Sequence, residues 1–473
     1  MKKRILIYVL IACLIIALGI GVYYYFSKSD KNTINIDKLL ADNTVDVIDE
    51  DETIDFSEYN NETITLNNKS ITINKEGVYT LTGTISNGSI NINTEGNVKL
   101  ILNNVTITNN SGPAIIIENA KNTIIELAKD SVNTLTDGKT YTNSEYDGCI
   151  YSADDLIITG EGTLVVNANY MDGIVSKDDL KITNGTYKIN AKDDAIRGKD
   201  SVYIVNGNFD ITSGGDAIKA TNDTDKGNIK IDNGSFKINA TGDGIDAIGK
   251  IIIENGTFDI TTTGDAKTNS AKGIKADNNI VIYNGTIKIN TTDDGIHSNK
   301  NIAITNGEFT INSKDDAIHA DELVEINNGT YNITASEGIE ATYVKINDGT
   351  INISASDDGI NAGQKSTAYT ATVEINGGNI TIKMGQGDTD GIDSNGNIYI
   401  NDGTINITGQ SPFDYDGEAK YNGGTIIVNG ETTNTITNQF MGGGMMNQGN
   451  MPNNNSTEQR GQRGNMPRRG QQQ

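Results

Sequence analysis

The chain contains no tryptophan, four prolines, two cysteines and two histidines among 473 residues. Each shortage excludes something. Without indole rings there is no broad aromatic platform for stacking neutral sugar rings. Outside an N-terminal apolar run only Cys149 remains, so no intramolecular disulfide forms and stability must come from packing. The lack of clustered Cys and His argues against a zinc or copper centre. Basic residues are also scarce: Arg197 is the lone arginine between residues 27 and 459, and the net charge is −25. Phosphate binding needs Lys and Arg gathered on one face, so a nucleic-acid partner is excluded, and cations or cation-bridged polymers suit the chain better.

What is abundant is glycine, 52 residues, with Asn, Thr and Ile in short alternating runs such as Thr-Ile-Asn-Ile. That is the vocabulary of strands and turns. A chain this long exceeds one ordinary globular core and points to an architecture that grows lengthwise.

The two ends differ from the middle. Met1-Lys2-Lys3-Arg4 precedes an apolar run from Ile5 to Phe26, long enough to span a bilayer as a helix. The basic start keeps that end cytoplasmic and places the rest outside the cell, anchored in the plasma membrane at the cell surface. Two rival readings are a cleaved signal peptide, although no small-x-small site closes the run, and a lipobox at Leu10-Ile11-Ala12-Cys13, although apolar sequence continues past Cys13. Residues 27–59, with Asp49-Glu50-Asp51-Glu52 at their centre, read as an acidic linker. Residues 431–473, rich in Met, Gly, Asn and Gln with Arg460, Arg463, Arg468 and Arg469, read as a low-complexity tail with nothing to bury.

Between them, residues 60–430 repeat. Asn184-Gly185-Thr186-Tyr187-Lys188-Ile189 returns from Asn206, Asn233, Asn255, Asn284, Asn306 and Asn328, then as Asp-Gly or Gly-Gly from Asp348, Gly377 and Asp402. The shortest spacings are 20 to 22 residues, and longer ones reach 29 through polar insertions such as Thr221 to Lys226 and Gln364 to Ala371. Each unit holds three short strands with a period of two, too few to cover their own apolar face. Stacking each strand on its equivalent one coil away solves this, so the expected fold is all-β, a right-handed parallel β-helix preceded by one transmembrane helix. A leucine-rich repeat has a similar period but needs a Leu-x-x-Leu-x-Leu frame that is absent. The inward column Tyr187, Phe209, Phe236, Phe258, Ile287, Phe309, Tyr331, Ile351, Ile380 and Ile405 reads as core.

The column with the most chemistry lies just before the Gly or Ala of each second strand: Asp147, Asp172, Asp194, Asp216, Asp243, Lys272, Asp294, Asp316, Glu337, Asp358, Asp390 and Asp416. Asp193, Asp293, Asp315 and Asp357 double it. Coils stack ~4.8 Å apart. Two unit charges at that distance repel by about 1 kcal/mol in water and about 3.5 kcal/mol at an effective dielectric near 20. Something must neutralise the stripe. Calcium, a hard cation for carboxylate oxygens, is one reading, with Asp193, Asp194, Asp216, Asp243, Asp293, Asp294, Asp315, Asp316, Asp357, Asp358 and Asp390 as ligands. Turn chemistry, in which Asp before Gly simply caps the local backbone, is the other. Three places on, a second outward column runs Arg197, Lys219, Asp246, Lys275, His297, His319, Glu340, Asn361 and Asp393. Arg197, Lys219, Lys275, His297 and His319 are its candidate ligand contacts, and the two histidines are also readable as a plain surface pair.

Several segments resemble one known family. Gly77-Val78-Tyr79-Thr80-Leu81-Thr82-Gly83-Thr84-Ile85-Ser86-Asn87-Gly88, Leu100-Ile101-Leu102-Asn103-Asn104-Val105-Thr106-Ile107, Ala114-Ile115-Ile116-Ile117 and Asn133-Thr134-Leu135-Thr136-Asp137-Gly138 are similar to the opening of bacterial carbohydrate-binding domain-containing proteins. The later Asp-Asp-Gly-Ile and Asn-Gly-Thr units match its repeats, over about residues 62–430. The resemblance implies a pectate-lyase-like β-helix, bound calcium and affinity for acidic or plant polysaccharides such as pectin and cellulose. Mapped residue by residue it points to Asp194, Asp216, Asp243, Asp294, Asp316, Asp358 and Asp390, with departures at Lys272 and Glu337. Three functions follow: a non-catalytic binding module for acidic polysaccharide of the polygalacturonate kind, a calcium-dependent polysaccharide lyase with Arg197 and Lys219 near the base, and a structural adhesin or wall spacer. In a column of Asp any two carboxylates are paired, so paired carboxylates carry no information about glycoside hydrolysis.

Overall fold

In the computed structural model, residues 54–438 are described, residues 225 and 388 excepted. The expected membrane helix over Ile5–Phe26, most of the acidic linker and the tail beyond residue 438 lie outside them. No helix among the described residues is long and apolar enough to cross a membrane.

The described strands form one sheet, paired in parallel almost throughout. Through the middle of the chain each strand pairs with the third strand onward, which is the signature of three strands per coil. Thr186–Ala191 pairs with Asn208–Ser213, that with Ser235–Ala240, and that with Thr257–Thr262. Second strands are three residues long, as in Ile196–Gly198 on Ile218–Ala220 on Ile245–Ala247. Third strands follow the same rule, as in Ser201–Ile204 on Asn228–Ile231. The chain is a parallel β-solenoid.

The alternation of side chains explains why this sequence adopts it. Thr186–Ala191 runs exposed, buried, exposed, buried, which puts Tyr187 and Ile189 inside and Lys188 outside. Identical register in every coil then builds columns. Tyr187, Phe209, Phe236 and Phe258 stack with ring centroids 4.8, 4.8 and 4.7 Å apart and near-parallel planes, all buried. Phe309 and Tyr331 repeat the stack further on at 4.7 Å. These rings are core, as their inward positions lead one to expect. At the preceding turn Gly207 has φ +147°, and a Cβ there would stand 2.8 Å from the Phe209 ring, so the Asn-Gly column is sterically required.

One boundary needs correction. The strand set does not stop at residue 430: Glu431–Thr433 pairs antiparallel with Thr425–Val428. Asn429 and Gly430 have φ of 51° and 86°, the positive values that a two-residue Asn-Gly hairpin turn demands. Beyond it, Ile436 packs on the core and Asn438 donates to the Tyr415 carbonyl. The low-complexity reading began about eight residues too early because it overlooked that turn signal.

Candidate functional site

The acidic column exists, and its register is that of the second strands. The turn before each of these strands is tight, so every column carboxylate sits against the next coil. In six of them one oxygen is spent there. Asp172 Oδ1 accepts from the Asp194 backbone N–H at 3.1 Å, Asp194 Oδ1 from Asp216 at 2.8 Å, and Asp216 Oδ1 from Asp243 at 2.6 Å. Asp243 caps Lys272, Asp294 caps Asp316, and Asp358 caps Asp390 in the same way. The carboxylates therefore satisfy backbone donors of the neighbouring coil, a longer-range version of the turn chemistry expected within one coil.

The other oxygen faces the second column, where Arg197, Lys219, Lys275 and His319 bring positive charge. Arg197 reaches Asp147 and Asp172, both at 2.5 Å. Lys219 lies 2.6 Å from Asp216 and 3.6 Å from Asp194. Lys275 lies 3.0 Å from Asp246 and 3.7 Å from Asp243. Lys272, which stands in the acidic column itself, reaches forward to Asp293 at 2.8 Å and Asp294 at 2.9 Å. His297 Nδ1 meets Asp294 at 2.8 Å, and His319 Nδ1 meets Asp316 at 2.7 Å and Glu340 at 2.9 Å. Lys365 closes the run on Glu340 at 2.6 Å. Burial opposes protonation of His319, but the two carboxylates prevail and push its pKa up to about 10. The five side chains expected to touch a ligand are thus turned onto the column instead: Arg197, Lys219, Lys275 and His319 as counter-charges, and His297 through its hydrogen bond to Asp294.

The two imidazoles stack with centroids 4.7 Å apart and planes 16° from parallel. Ring nitrogens bind metals in the ring plane, so stacked parallel rings aim their lone pairs side by side rather than at a common ion.

Toward the C-terminal end the pattern changes. The second column continues from Glu340 to Asn361, Asp393 and Asp414. Among the described residues Asp358, Asp393 and Asp414 form no ion pair with Lys, Arg or His. Burial raises Asp358 to about 7, with Asp393 and Glu337 adding to it. Burial, then Asp390 and Asp414, raise Asp393 to about 7. Burial raises Asp172 and Asp243 to about 7 and Asp194 to about 6 as well, even though Arg197, Lys275 and Lys219 oppose it there. Asn361 donates to Glu337 at 2.9 Å, while its shielded Oδ1 accepts no hydrogen bond.

The register also corrects the last position. Asp390 pairs with Ser411, so Ser411 and not Asp416 occupies the column in the final coil. Asp416-Gly417 copies the motif one turn later, where Asp416 N–H bonds to the Ser394 carbonyl. Asp393 and Asp414, outside the set of carboxylates expected to hold metal, face each other there instead; their signal was the loss of basic residues from the second column.

Calcium requires six to eight oxygens. Between Asp172 and Asp316 the donor set does not fit: one oxygen of most of the carboxylates is bonded to an N–H, and the other is met by an ammonium, guanidinium or imidazole. At the C-terminal end those counter-charges are missing. There Asp358, Asp393 and Asp414 gather beside Asp390 without a basic partner of their own, and the amide oxygen of Asn361, a type calcium also accepts, lacks a donor.

Fold and column together define a class: a parallel β-solenoid whose acidic edge is neutralised from within and left open at one end. The chain belongs to the carbohydrate-binding domain-containing protein family, whose model matches residues 67–317 and 312–438. A carbohydrate-binding domain-containing protein of Acetivibrio thermocellus is 36% identical over 135 residues, 27% of this chain and 47% of that protein, so the match spans about half of the relative's length. The solved structure of a polysaccharide lyase-like protein from C. thermocellum, a gadolinium derivative, is 35% identical, covers 48% of this chain and 89% of that one, and superposes with a TM-score of 0.41.

Proposed function

We propose that this protein is a non-catalytic polysaccharide-binding module that takes acidic polysaccharide of the polygalacturonate kind through calcium held at the C-terminal end of the acidic column. Family membership supports the carbohydrate. The observation that carries the metal is the group Asp358, Asp390, Asp393 and Asp414 beside the unpartnered Asn361 Oδ1. Calcium there would relieve the like-charge repulsion and offer remaining coordination positions to a sugar carboxylate. The right-handed winding expected of parallel crossovers belongs to this reading. So does display at the cell surface by the apolar run Ile5–Phe26.

A lyase would need a base. Arg197 is held protonated by Asp172 and Asp147, which override the effect of burial and raise its pKa further, so it is unsuited to accept a proton. The test is calorimetric titration of the full chain with calcium, then with polygalacturonate in calcium or in chelator. Calcium uptake that strengthens glycan binding is expected. Glycan binding unchanged by chelator would move the metal out of the function, and absence of both would leave a structural spacer.

A further inference from the structure

The outward column that carries Arg197 and Lys219 begins differently. In register it runs Asn91, Ile116, Tyr151 and Val175 before it reaches Arg197, so its first coils carry amide, apolar and aromatic side chains in place of cations. An insertion brings a second tyrosine to it. Residues 137–147 join the first strand Val132–Thr136 to the second strand Gly148–Ser152, whereas residues 192–195 suffice two coils on. The insertion is pinned at several points. The Thr142 N–H bonds to the Ser111 carbonyl at 3.0 Å, the Tyr141 hydroxyl lies 2.6 Å from Asp137 Oδ2, and the Tyr141 ring stacks on Tyr170 at 4.2 Å. Tyr146 is thereby held against Tyr151, with ring centroids 4.9 Å apart and planes at 58°.

Both rings are half-buried, and polar groups stand at their edge. The exposed Glu118 accepts from the Tyr146 hydroxyl at 3.0 Å and from Asn91 at 3.1 Å on one oxygen, and from Asn93 at 2.9 Å on the other. A carboxylate has about four acceptor positions, so one stays open. Asn91 Oδ1 accepts no hydrogen bond. Two rings set as a notch, with a carboxylate and two amides beside them, offer a pyranose an apolar wall for its C–H face and partners for its hydroxyls. The surrounding charge decides which pyranose. Lys177 and Arg197 are committed to Asp147, each at 2.5 Å, which leaves Glu118 and Glu145 without an ion-pair partner among the described residues. Burial, then Asp147 and Glu145, push the Tyr151 hydroxyl above its ordinary value, against Arg197. A sugar carboxylate is repelled there, and an uncharged ring is not.

We propose that the Tyr146–Tyr151 notch is a calcium-independent subsite for an uncharged pyranose unit, such as an esterified uronate, of the polysaccharide whose charged units are taken at the other end of the column. The proposal rests on the polysaccharide-binding reading above but uses neither the metal nor its carboxylates. In register Tyr151 stands ten coils from Asp393, ~48 Å at the usual strand spacing, so no short oligosaccharide touches both ends.

The experiment uses the full chain in excess chelator, with two probes that differ only in charge, tri-galacturonate and its fully methyl-esterified form, followed by calorimetry and by hydrogen exchange at residues 137–151. The esterified trimer is expected to bind, to protect that segment, and to exceed the acid form by about fivefold or more. Tyr146→Ala should weaken it about tenfold, and Asp358→Asn/Asp393→Asn should leave it unchanged. Equal binding of the two trimers overturns the notch, as does binding indifferent both to Tyr146→Ala and to Tyr151→Ala. Should either variant lower the melting temperature, protection of residues 137–151 in the unaltered chain decides alone, and its absence overturns the proposal. No binding of the esterified trimer in chelator also overturns it, yet leaves the calcium reading standing if tri-galacturonate binds once calcium is restored.

Discussion

The acidic column behaves as two regions. From Asp147 to Glu340 the column meets cations supplied by the same chain, namely Arg197, Lys219, Lys272, Lys275, His319 and Lys365. From Asp358 to Asp414 the strand register is the same, yet the outward column turns to Asn361, Asp393 and Asp414. Identical backbone geometry carries different counter-charges. A stripe of acid is therefore a structural element where its counter-charges are built in, and a candidate binding element where they are missing.

The largest test breaks the closed region. Arg197→Met leaves the buried Asp172 without its ion-pair partner, while Asp147 keeps Lys177, and should cost about 3–5 kcal/mol in denaturant unfolding, the usual penalty for orphaning a buried charge. At the open end, adding positive charge should do the opposite of removing it in the middle. Calcium at a hundred times its dissociation constant should stabilise the chain by ~2.7 kcal/mol, read as a rise in Tm that Asp358→Asn/Asp393→Asn abolishes.

Acid should act in the same direction as calcium. In chelator Asp358 and Asp393 titrate near 7 in the folded chain, above the ordinary carboxylate value of about 3.9. A raised carboxylate binds its proton more tightly when folded, so its contribution is full below the unfolded value and is lost as pH rises through about 7. Tm should rise between pH 8 and pH 5, with protonation stabilising the fold by on the order of 1 kcal/mol at each of the two carboxylates, and the rise should be smaller in the double Asn variant. The smallest effect comes from converting one region into the other: Asp393→Lys places at the open end the residue type of Lys219 and Lys275. It should add ~0.5–1 kcal/mol and remove the calcium response.

Much of this was legible in the sequence. The three-strand coil, the inward aromatic and Ile columns and the register of the acidic column from Asp172 to Asp390 follow from period-two alternation and repeat spacing, which depend on backbone geometry alone. The division of labour between carboxylate oxygens was not legible, because it depends on which way each side chain turns. Arg197 and Lys219 were visible beside the column, but their commitment to Asp172 and Asp216 required the outward oxygen to be located. Asp416 misled because its Asp-Gly pair reproduces the motif, whereas the final coil uses Ser411-Pro412-Phe413 in its place.

The Asn429-Gly430 hairpin has a consequence for how the protein meets copies of itself. A parallel solenoid ends in strands whose free N–H and C=O groups offer the next coil a place to add, and another molecule's first coil has the matching polarity. The antiparallel Glu431–Thr433 occupies the final edge of the first-strand column and reverses its direction. A strand arriving in the solenoid's own direction would have to pair antiparallel there, so a second copy could not continue the parallel ladder of this column unbroken.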